Sequence, residues 1–397
     1  MKILMLLDNQ FPPDIRVGKE ANSLLNAGNE VAILSYKHTS MKREEYINGI
    51  RIFRISIPEQ IAKKILGLSL QLPFYRWFWQ RAISRISKYY SFDVVHIHDL
   101  PLCSMIKFIK KKFGVPVIAD MHENYPYLVA EQPYMNSLFA HIFLSKKEWF
   151  IKEKEWLAKA DAVICVAEEM KQRMESEIKT PLKISVVPNT PSILELNGLL
   201  SDNSGIKARF TGTFNILYLG GIDTVRGIDI LIHAAEYASK VIRELKIIIV
   251  GDGKMLPDMI RMARSLELSN TVFFEGWKPQ EETGSYISLS DVCVIPHRKS
   301  PQTDNSSPNK LFQYLAFKKP VISSNCNSLE KLILAETCGI IYKDSSPEEL
   351  AEGIKYLYEH PELRIEMGNN GYRAVMNKYN WESTVAPLLS VYSEQNL

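Results

Sequence analysis

Asn305, Ser306, Ser307, Lys310 and Gln313 fall within the single stretch Asp304-Asn-Ser-Ser-Pro-Asn-Lys-Leu-Phe-Gln-Tyr-Leu-Ala316. An apolar run ending in proline, Asp291-Val-Cys-Val-Ile-Pro296, precedes it, and Pro320-Val-Ile-Ser323 follows. The pattern predicts a strand, a polar loop, a helix with Ser307 as N-cap and Pro308 in its first turn, and a second strand. A helix start of this kind aims free backbone N–H groups and a positive dipole end at one spot, and Lys310 adds a full charge there. The chemistry that suits the spot is the binding of a phosphate or pyrophosphate. Gln313 places a neutral amide one turn into the helix, where a site for a hydroxylated ligand more often carries a carboxylate.

A second cluster has the same character. Gly220-Gly221 ends an apolar run, and Arg226-Gly227 opens the next helical pattern. Glycine lets a backbone approach a ligand closely, and arginine can grip a phosphate through two parallel bonds. A tight strand-to-helix turn accounts for the glycines equally simply, but glycines, helix start and cation coincide. Gly251-Asp-Gly253 closes the next strand pattern and also reads as a plain turn. In the first half of the chain, His122 and Glu123 follow the apolar run Val115–Ala119, Asp99 ends the run before it, and Asp14 and Arg16 follow the first run of all. A lone histidine after a strand is more often structural than catalytic, and a loop arginine is as often simply solvated.

The elements that must position these residues are legible from periodicity. Short Val/Ile/Leu runs alternate with helical patterns, giving expected strands at Lys2–Leu7, Glu30–Ser35, Arg51–Ile55, Asp93–Ile97, Val115–Ala119, Ala162–Val166 and Ile184–Val187. A second set falls at Asn215–Leu219, Lys246–Val250, Thr271–Phe274, Asp291–Ile295, Pro320–Ser323 and Gly339–Ile341. Continuous apolar strands interleaved with helices predict parallel sheets covered on both faces, with ligands beyond the carboxyl ends of the strands. Expected helices are Val17–Ala27, Pro101–Phe113, Asp229–Lys240, Pro347–Tyr358 and Trp381–Tyr392. The turn-rich stretch Asn197–Gly205 reads as a linker between two doubly wound domains, 1–190 and 191–379, with residues 380–397 packing back on the first. Such domains would face each other across a cleft.

Bulk properties fit this picture. The 397 residues exceed one ordinary core, and 46% hydrophobic with 23% charged residues is the composition of a folded protein. The net charge of +3 is unevenly spread: residues 1–190 hold 27 Lys and Arg against 20 Asp and Glu, while residues 191–397 hold 21 against 25. The basic first half points to an anionic partner. Five separated cysteines include no Cys-x-x-Cys pair, which argues against zinc or redox motifs and for a reducing, cytoplasmic setting. No apolar run is long enough to cross a bilayer. Residues 60–90 carry six basic residues and no acid among aromatic and aliphatic ones. That mixture suits a helix lying in a membrane interface, joined by Lys107, Lys110, Lys111 and Lys112, at the inner face of the membrane. An ordinary amphipathic helix covering the first sheet accounts for it too. No nucleic-acid motif accompanies the charge.

Several motifs, in order along the chain, resemble those of family-four glycosyltransferases of the two-Rossmann-domain GT-B type. They include Phe11-Pro-Pro-Asp-Ile-Arg-Val-Gly-Lys-Glu20, His96-Ile-His-Asp-Leu-Pro101, Asp120-Met-His-Glu123, Val187-Pro-Asn-Thr-Pro191, Leu219-Gly-Gly-Ile-Asp-Thr-Val-Arg-Gly-Ile228, Val250-Gly-Asp-Gly253, Phe274-Glu-Gly276 and Pro308-Asn-Lys-Leu-Phe-Gln-Tyr-Leu-Ala316. The resemblance implies retaining transfer of a sugar from a UDP- or GDP-sugar donor to a saccharide, lipid-linked and part of surface polysaccharide or lipopolysaccharide assembly. No cofactor or metal is implied, because the leaving diphosphate assists the acceptor and the protein supplies positioning and charge.

It implies catalytic roles for His122, Arg226 and Lys310. Donor binding falls to Gly220, Gly221, Arg226, Gly251, Gly253, Trp277, Asn305, Ser306, Ser307, Lys310, Leu311 and Gln313, and acceptor binding to Asp14, Arg16, Asp99 and Glu123. The family's two glutamates stand here as Asn305 and Gln313, a change expected to weaken donor binding by about 1–2 kcal/mol. An arginine common in the family at the position of Gly221 is also missing, and Lys310 is the substitute cation. Two other readings share these motifs: a nucleotide-sugar-binding scaffold that has lost its acids, and an enzyme of the same fold with other chemistry, such as an epimerase or a phosphorylase.

Overall fold

The computed structural model describes residues 1–37, 41–56, 73–130, 146–178, 181–199, 204–306 and 309–394. The chain divides into two compact units, Met1–Pro188 with Val385–Leu397, and Asn189–Thr384.

The first unit is built on β1 (Lys2–Gln10), β2 (Glu30–Tyr36), β3 (Glu44–Ile47), β4 (Ile50–Ile55), β5 (Val94–His98), β6 (Val117–Met121), β7 (Ala162–Cys165) and β8 (Ile184–Val186). They form one sheet in the order β3-β4-β2-β1-β5-β6-β7-β8. All neighbours run parallel except β3 and β4, a hairpin edge. The apolar runs explain the arrangement: residues Ile3 to Leu6 are fully buried, as strands covered on both faces must be. β3 is absent from the expected strands because its residues, Glu44-Glu-Tyr-Ile47, are polar and half-exposed.

Polar residues at helix starts fix where the chain turns away from the sheet. Asp14 caps the helix Ile15–Asn26 by accepting from the Val17 N–H at 3.0 Å. The expected helix Pro101–Phe113 is two helices, Leu100–Cys103 and Ile106–Phe113. The break is a tight turn at Ser104, whose Oγ donates to the Pro101 carbonyl at 2.7 Å.

The second unit holds β9 (Phe214–Leu219), β10 (Leu245–Val250), β11 (Val272–Gly276), β12 (Val292–Ile295), β13 (Val321–Ser324) and β14 (Gly339–Tyr342). They form a parallel sheet in the order β11-β10-β9-β12-β13-β14. β9 and β12 are neighbours, so the order reverses at β9, and ligands of open α/β sheets bind at the strand ends beside such a reversal. The expected linker at Asn197–Gly205 is corrected for its described residues. Ile193–Gly198 is a helix with a full capping box from Ser192 and Glu195, and Leu196 and Leu199 are buried in the core of this unit.

The chain passes between units at Pro188/Asn189 and again at Thr384/Val385. The expected single helix Trp381–Tyr392 breaks at the second crossing, into Trp381–Thr384 and Ala386–Ser393. Pro387 lacks the N–H that a continuous helix would need. The returning segment places the Tyr392 hydroxyl 2.5 Å from His96 Nδ1, both groups buried. Tyr392→Phe is expected to lower unfolding free energy in urea by about 1–3 kcal/mol, the cost of leaving a buried ring nitrogen unpaired.

Candidate active site

In the second unit, β9 delivers Tyr218 and then the turn Gly220-Gly221. The Tyr218 hydroxyl donates to the Gly221 carbonyl at 2.7 Å. Its ring lies 4.3 Å from Lys310 Nζ, which also donates to the Tyr218 oxygen at 3.4 Å. Gly220 has φ 137°, and a Cβ there would fall 2.5 Å from Lys310 Nζ. Lys310 therefore occupies the space a side chain would fill. Arg226 closes the single turn Thr224–Arg226, which Asp223 caps. The next residue, Gly227, has φ 65°, and a Cβ would fall 1.8 Å from the Pro296 carbonyl. This contact locks the Arg226 turn to the end of β12.

His297 follows directly on that strand end and is buried. Arg226 Nη1 donates to His297 Nε2 at 3.2 Å, so the ring is neutral and its proton sits on Nδ1. Burial, with Lys310 and Arg226 nearby, holds His297 well below the usual histidine range. Lys310 is likewise pulled well below the usual lysine range by burial and by Arg226, against a smaller opposite effect of Asp223. Lys310 has no ion-pair partner among the described residues. Among the described residues, Asp223, 3.7 Å from Arg226, is the carboxylate in ion-pair range of this cluster. An arginine, a lysine whose charged form is disfavoured until an anion arrives, and a neutral ring converge where a parallel sheet reverses its order. An arriving dianion would meet positive charge that the protein itself leaves largely uncompensated.

Other expected donor residues divide. Gly251 and Gly253 pack against the Gly220–Ile222 turn, where added Cβ atoms would fall 1.8 Å and 2.2 Å from its carbonyls; they shape the turn. A Cβ on Gly221 would meet Asp223 Oδ2 at 3.6 Å, an ordinary contact. Asn305 is turned into its own loop, donating to the Pro301 carbonyl at 2.6 Å, and Ser306 donates to Thr303 at 3.1 Å. The Leu311 side chain is buried in the hydrophobic core, which leaves only its backbone N–H, in the first turn of the helix, for a ligand. Gln313 is half-buried on the helix Asn309–Ala316 and makes no side-chain hydrogen bond among the described residues. Trp277 is 72% exposed just beyond β11. Neighbouring Glu275 is fully engaged by Arg209 and Tyr286. Ser307 and Pro308 lie outside the described residues.

The first unit gathers a different cluster at the ends of β5 and β6. His122 Nε2 lies 3.0 Å from Asp120 Oδ2 and 3.1 Å from His98 Nδ1, and its backbone N–H donates to Asp99 Oδ1 at 3.1 Å. Burial opposes a charge on His122, but Asp120 and Asp99 outweigh it and push the ring up to about 10. His122 is thus an imidazolium near neutral pH, a hydrogen-bond donor rather than a base. Asp99 has φ 66° and ψ 158°, a conformation that costs a non-glycine residue about 1–3 kcal/mol. The His122 N–H and the bond from Asp99 N to the Asp120 carbonyl hold it there.

Arg16 is the clearest correction. It does not point to a ligand: it is 5% exposed, pairs with Glu20 at 2.9 Å and with Asp120 at 3.2 Å, and donates to the Val187 carbonyl. Asp14 serves as a helix cap. Glu123 is exposed, and the acids that orient His122 are Asp120 and Asp99. Three carboxyls, Glu20, Asp99 and Asp120, face two cations, Arg16 and His122. Arg16 and His122 overcome burial to hold Asp120 well below the carboxylate range, while burial and Asp120 drive Glu20 well above it. Glu20, His98, Asp120 and His122 each offer a donor atom within 4.8 Å of the others, as a metal site would need. Arg16 already sits on both carboxylates, so the cluster reads as an ion-pair network with its own cation.

The sequence pattern did not reveal His297, Tyr218, Glu20, Asp120 or Asp8. Asp8 ends the buried part of β1, accepts from Tyr75 at 2.7 Å, and is raised to about 7 by burial. The position of His297 directly after an apolar strand was the available signal, the same one that marked His122.

Two family models match the chain, one described as Glycosyltransferase Family 4 over residues 16–190 and one as Glycosyl transferases group 1 over residues 202–374. The chain belongs to glycosyltransferase family four. Among its relatives, the alpha-D-kanosaminyltransferase of Streptomyces kanamyceticus is 24% identical over 290 residues, 72% of each chain. The alpha-monoglucosyldiacylglycerol synthase of Streptococcus pneumoniae is 24% identical over 288 residues, 68% of this chain and 62% of that one. Among solved structures, sucrose-phosphate synthase from Thermosynechococcus elongatus superimposes with a TM-score of 0.79 at 18% identity, covering 99% of this chain and 98% of that one. Anabaena HepE in complex with UDP does so with a TM-score of 0.74 at 13% identity, covering 99% and 100%. Both structures share the fold of this chain, two parallel-sheet α/β domains of the GT-B kind.

Two outcomes follow from this geometry. Gly220→Ala puts a methyl group 2.5 Å from Lys310 Nζ and strains the backbone at φ 137°; in folded protein, checked by circular dichroism, it should weaken nucleoside diphosphate binding by about tenfold or more, as read by calorimetric titration with UDP and GDP. His122, raised above its ordinary 6.5, contributes stability that is fully present below that pH and is lost as pH climbs through about 10. Ring resonances of His122 followed by NMR should therefore remain those of an imidazolium at pH 8. In Asp120→Asn they should titrate near or below neutrality.

Proposed function

We propose that the chain transfers a sugar, with retention at the anomeric carbon, from a UDP- or GDP-sugar to a lipid-linked saccharide in surface polysaccharide assembly. The observation that carries the reading is the pair Lys310 and Arg226, held over Tyr218 and His297 without a carboxylate partner for Lys310. A leaving diphosphate supplies the missing negative charge, and its departure is eased by cations already in place. On this reading the two cations do the work that a metal ion does in other phosphoryl and glycosyl transfers. Gly221 and Gly253 shape the turn beneath the diphosphate, Trp277 lies by the base, and Gln313 meets the ribose hydroxyls as a neutral donor and acceptor. Asn305 and Ser306, whose side chains bond within their own loop, offer the sugar side their backbone.

His122, a donor in the imidazolium form, bonds sugar hydroxyls in the first unit, which takes the acceptor. Asp99 and Glu123 present acids on the same surface. HepE was solved with UDP, which supports a nucleotide donor, and the synthase of Streptococcus pneumoniae is named for a glucosyl lipid product, which supports a lipid-bearing acceptor.

A peripheral contact with an anionic membrane, from the cytoplasmic side, belongs to the same reading. Of residues 60–90, those from 60 to 72 lie outside the described ones, and the remainder includes the helix Pro73–Ile86. Tyr75, Trp79, Ile83 and Ile86 bury one face of it in the core, while Phe74 and Trp77 stay exposed beside Arg76, Arg81 and Arg85. Aromatic and cationic side chains together on one outward face suit an interfacial helix. Lys112 reaches the same helix through Ser84, whereas Lys110 is held by Asp161 and is not free to join it. No helix among the described residues is long and apolar enough to cross a membrane.

The test is a panel of UDP- and GDP-sugars. One of them should bind with micromolar affinity, Lys310→Ala and Arg226→Ala should each lower that affinity about tenfold or more, and Gln313→Glu should raise it several-fold. Product formation with a lipid-linked saccharide, without any requirement for inorganic phosphate, completes the reading. Binding without turnover favours a scaffold, and failure of every nucleotide sugar to bind rejects the proposal.

A further inference from the structure

A cavity of about 530 Å³ opens in the first unit between the β3–β4 hairpin and the helix Pro73–Ile86, among the described residues. Its volume falls within the range of small-molecule sites. The floor is apolar: Phe53, Ala82 and Ile86 are buried there, and Phe78 is half-buried. The rim is cationic, with Arg43, Arg81 and Arg85 exposed around it and the Tyr89 phenol 69% exposed beside them.

The other two charged groups on the lining are already satisfied. Glu44 accepts from Arg51 at 2.7 Å and 2.9 Å. Arg54 pairs with Glu45 at 2.6 Å and donates to the Phe11 carbonyl at 2.7 Å. Arg43 and Arg85 make no side-chain hydrogen bond or ion pair among the described residues, and Arg81 rests on the Trp77 ring, 5.6 Å from its centroid. The uncompensated charge of the cavity is therefore three guanidinium groups above a greasy floor.

We infer that this cavity binds one bilayer phospholipid by its phosphate, with Arg43, Arg81 and Arg85 gripping the head and the Phe53, Phe78 and Ile86 floor taking the first methylenes of the tail. A guanidinium presents parallel N–H donors that match two phosphate oxygens, and three of them around one opening favour a phosphate over an isolated carboxylate. The apolar floor separates a lipid phosphate from a free one, because an inorganic ion gains nothing there and leaves that surface in water. The inference builds on the membrane contact proposed above and adds to it a discrete site, occupied by one molecule rather than by a surface. It does not depend on the transfer chemistry.

The test uses lipids below their micellar concentration, titrated into the full-length protein by calorimetry. Dihexanoyl phosphatidic acid should bind saturably at one molecule per chain. Inorganic phosphate and dihexanoyl phosphatidylcholine should each bind about tenfold more weakly or worse. Arg43→Ala with Arg85→Ala should weaken phosphatidic acid binding about tenfold, Arg85→Gln alone should weaken it measurably, and Lys107→Ala with Lys111→Ala should leave it unchanged. UDP titration of the same variants should be unaltered, which keeps failure of this site distinct from failure of the donor site. Sedimentation with phosphatidylglycerol vesicles reports the general membrane contact separately. Phosphatidic acid binding no better than inorganic phosphate, or binding indifferent to Arg43 and Arg85, overturns the inference.

Discussion

Lys310 sits against the face of Tyr218 with no ion-pair partner among the described residues, and its surroundings follow from that. A buried lysine without a counter-ion raises the energy of the empty protein and lowers its own affinity for a proton. The surroundings make that tolerable. Gly220 has no side chain and so leaves room for the ammonium, Tyr218 offers a ring face and an oxygen, and His297 stays neutral while accepting from Arg226. Each of these features is costly or pointless for stability alone. On the function proposed, they would together serve as an anion site whose reorganisation energy is met during folding rather than at the moment of reaction.

The first unit solves the opposite problem. Its carboxyls at the strand ends outnumber its cations, and the balance fixes the state of every member. Arg16 and His122 hold Asp120 ionised, Glu20 takes the role of neutral partner, and His122 cannot lose its proton near neutral pH. Such a network is rigid, because removing Arg16, Asp120 or His122 strands a buried charge. The rigidity is useful at His122, whose ring is positioned from one side by Asp120 and, through its backbone, by Asp99 in a strained conformation.

The fold could be read because parallel strands covered on both faces leave unbroken Val/Ile/Leu runs. Every strand of the second unit was visible that way, and only the polar hairpin strand Glu44–Ile47 of the first was missed. The grouping of Gly220, Arg226 and Lys310, and the place of His122 after a strand, were legible where polar residues follow an apolar run. Partners far apart in sequence were not. Arg16 and Asp120 are 104 positions apart, and nothing in either neighbourhood announces the pair, so a buried structural arginine was read as a ligand-binding one. The burial of the Leu311 side chain was not legible for a different reason: a motif marks a stretch of helix, and only the helix phase decides which of its side chains face the core. The linker reading failed because polar, turn-rich residues can also cap a helix, as Ser192 and Glu195 do next to Asn197.

The central claim is that Lys310 and Arg226 receive the donor diphosphate, and a crystal structure with UDP or GDP bound tests it most directly. The account predicts phosphate oxygens within hydrogen-bonding distance of Lys310 Nζ and the Arg226 guanidinium, beside the Gly220-Gly221 turn. A diphosphate bound elsewhere, with both cations left unpaired, would contradict it.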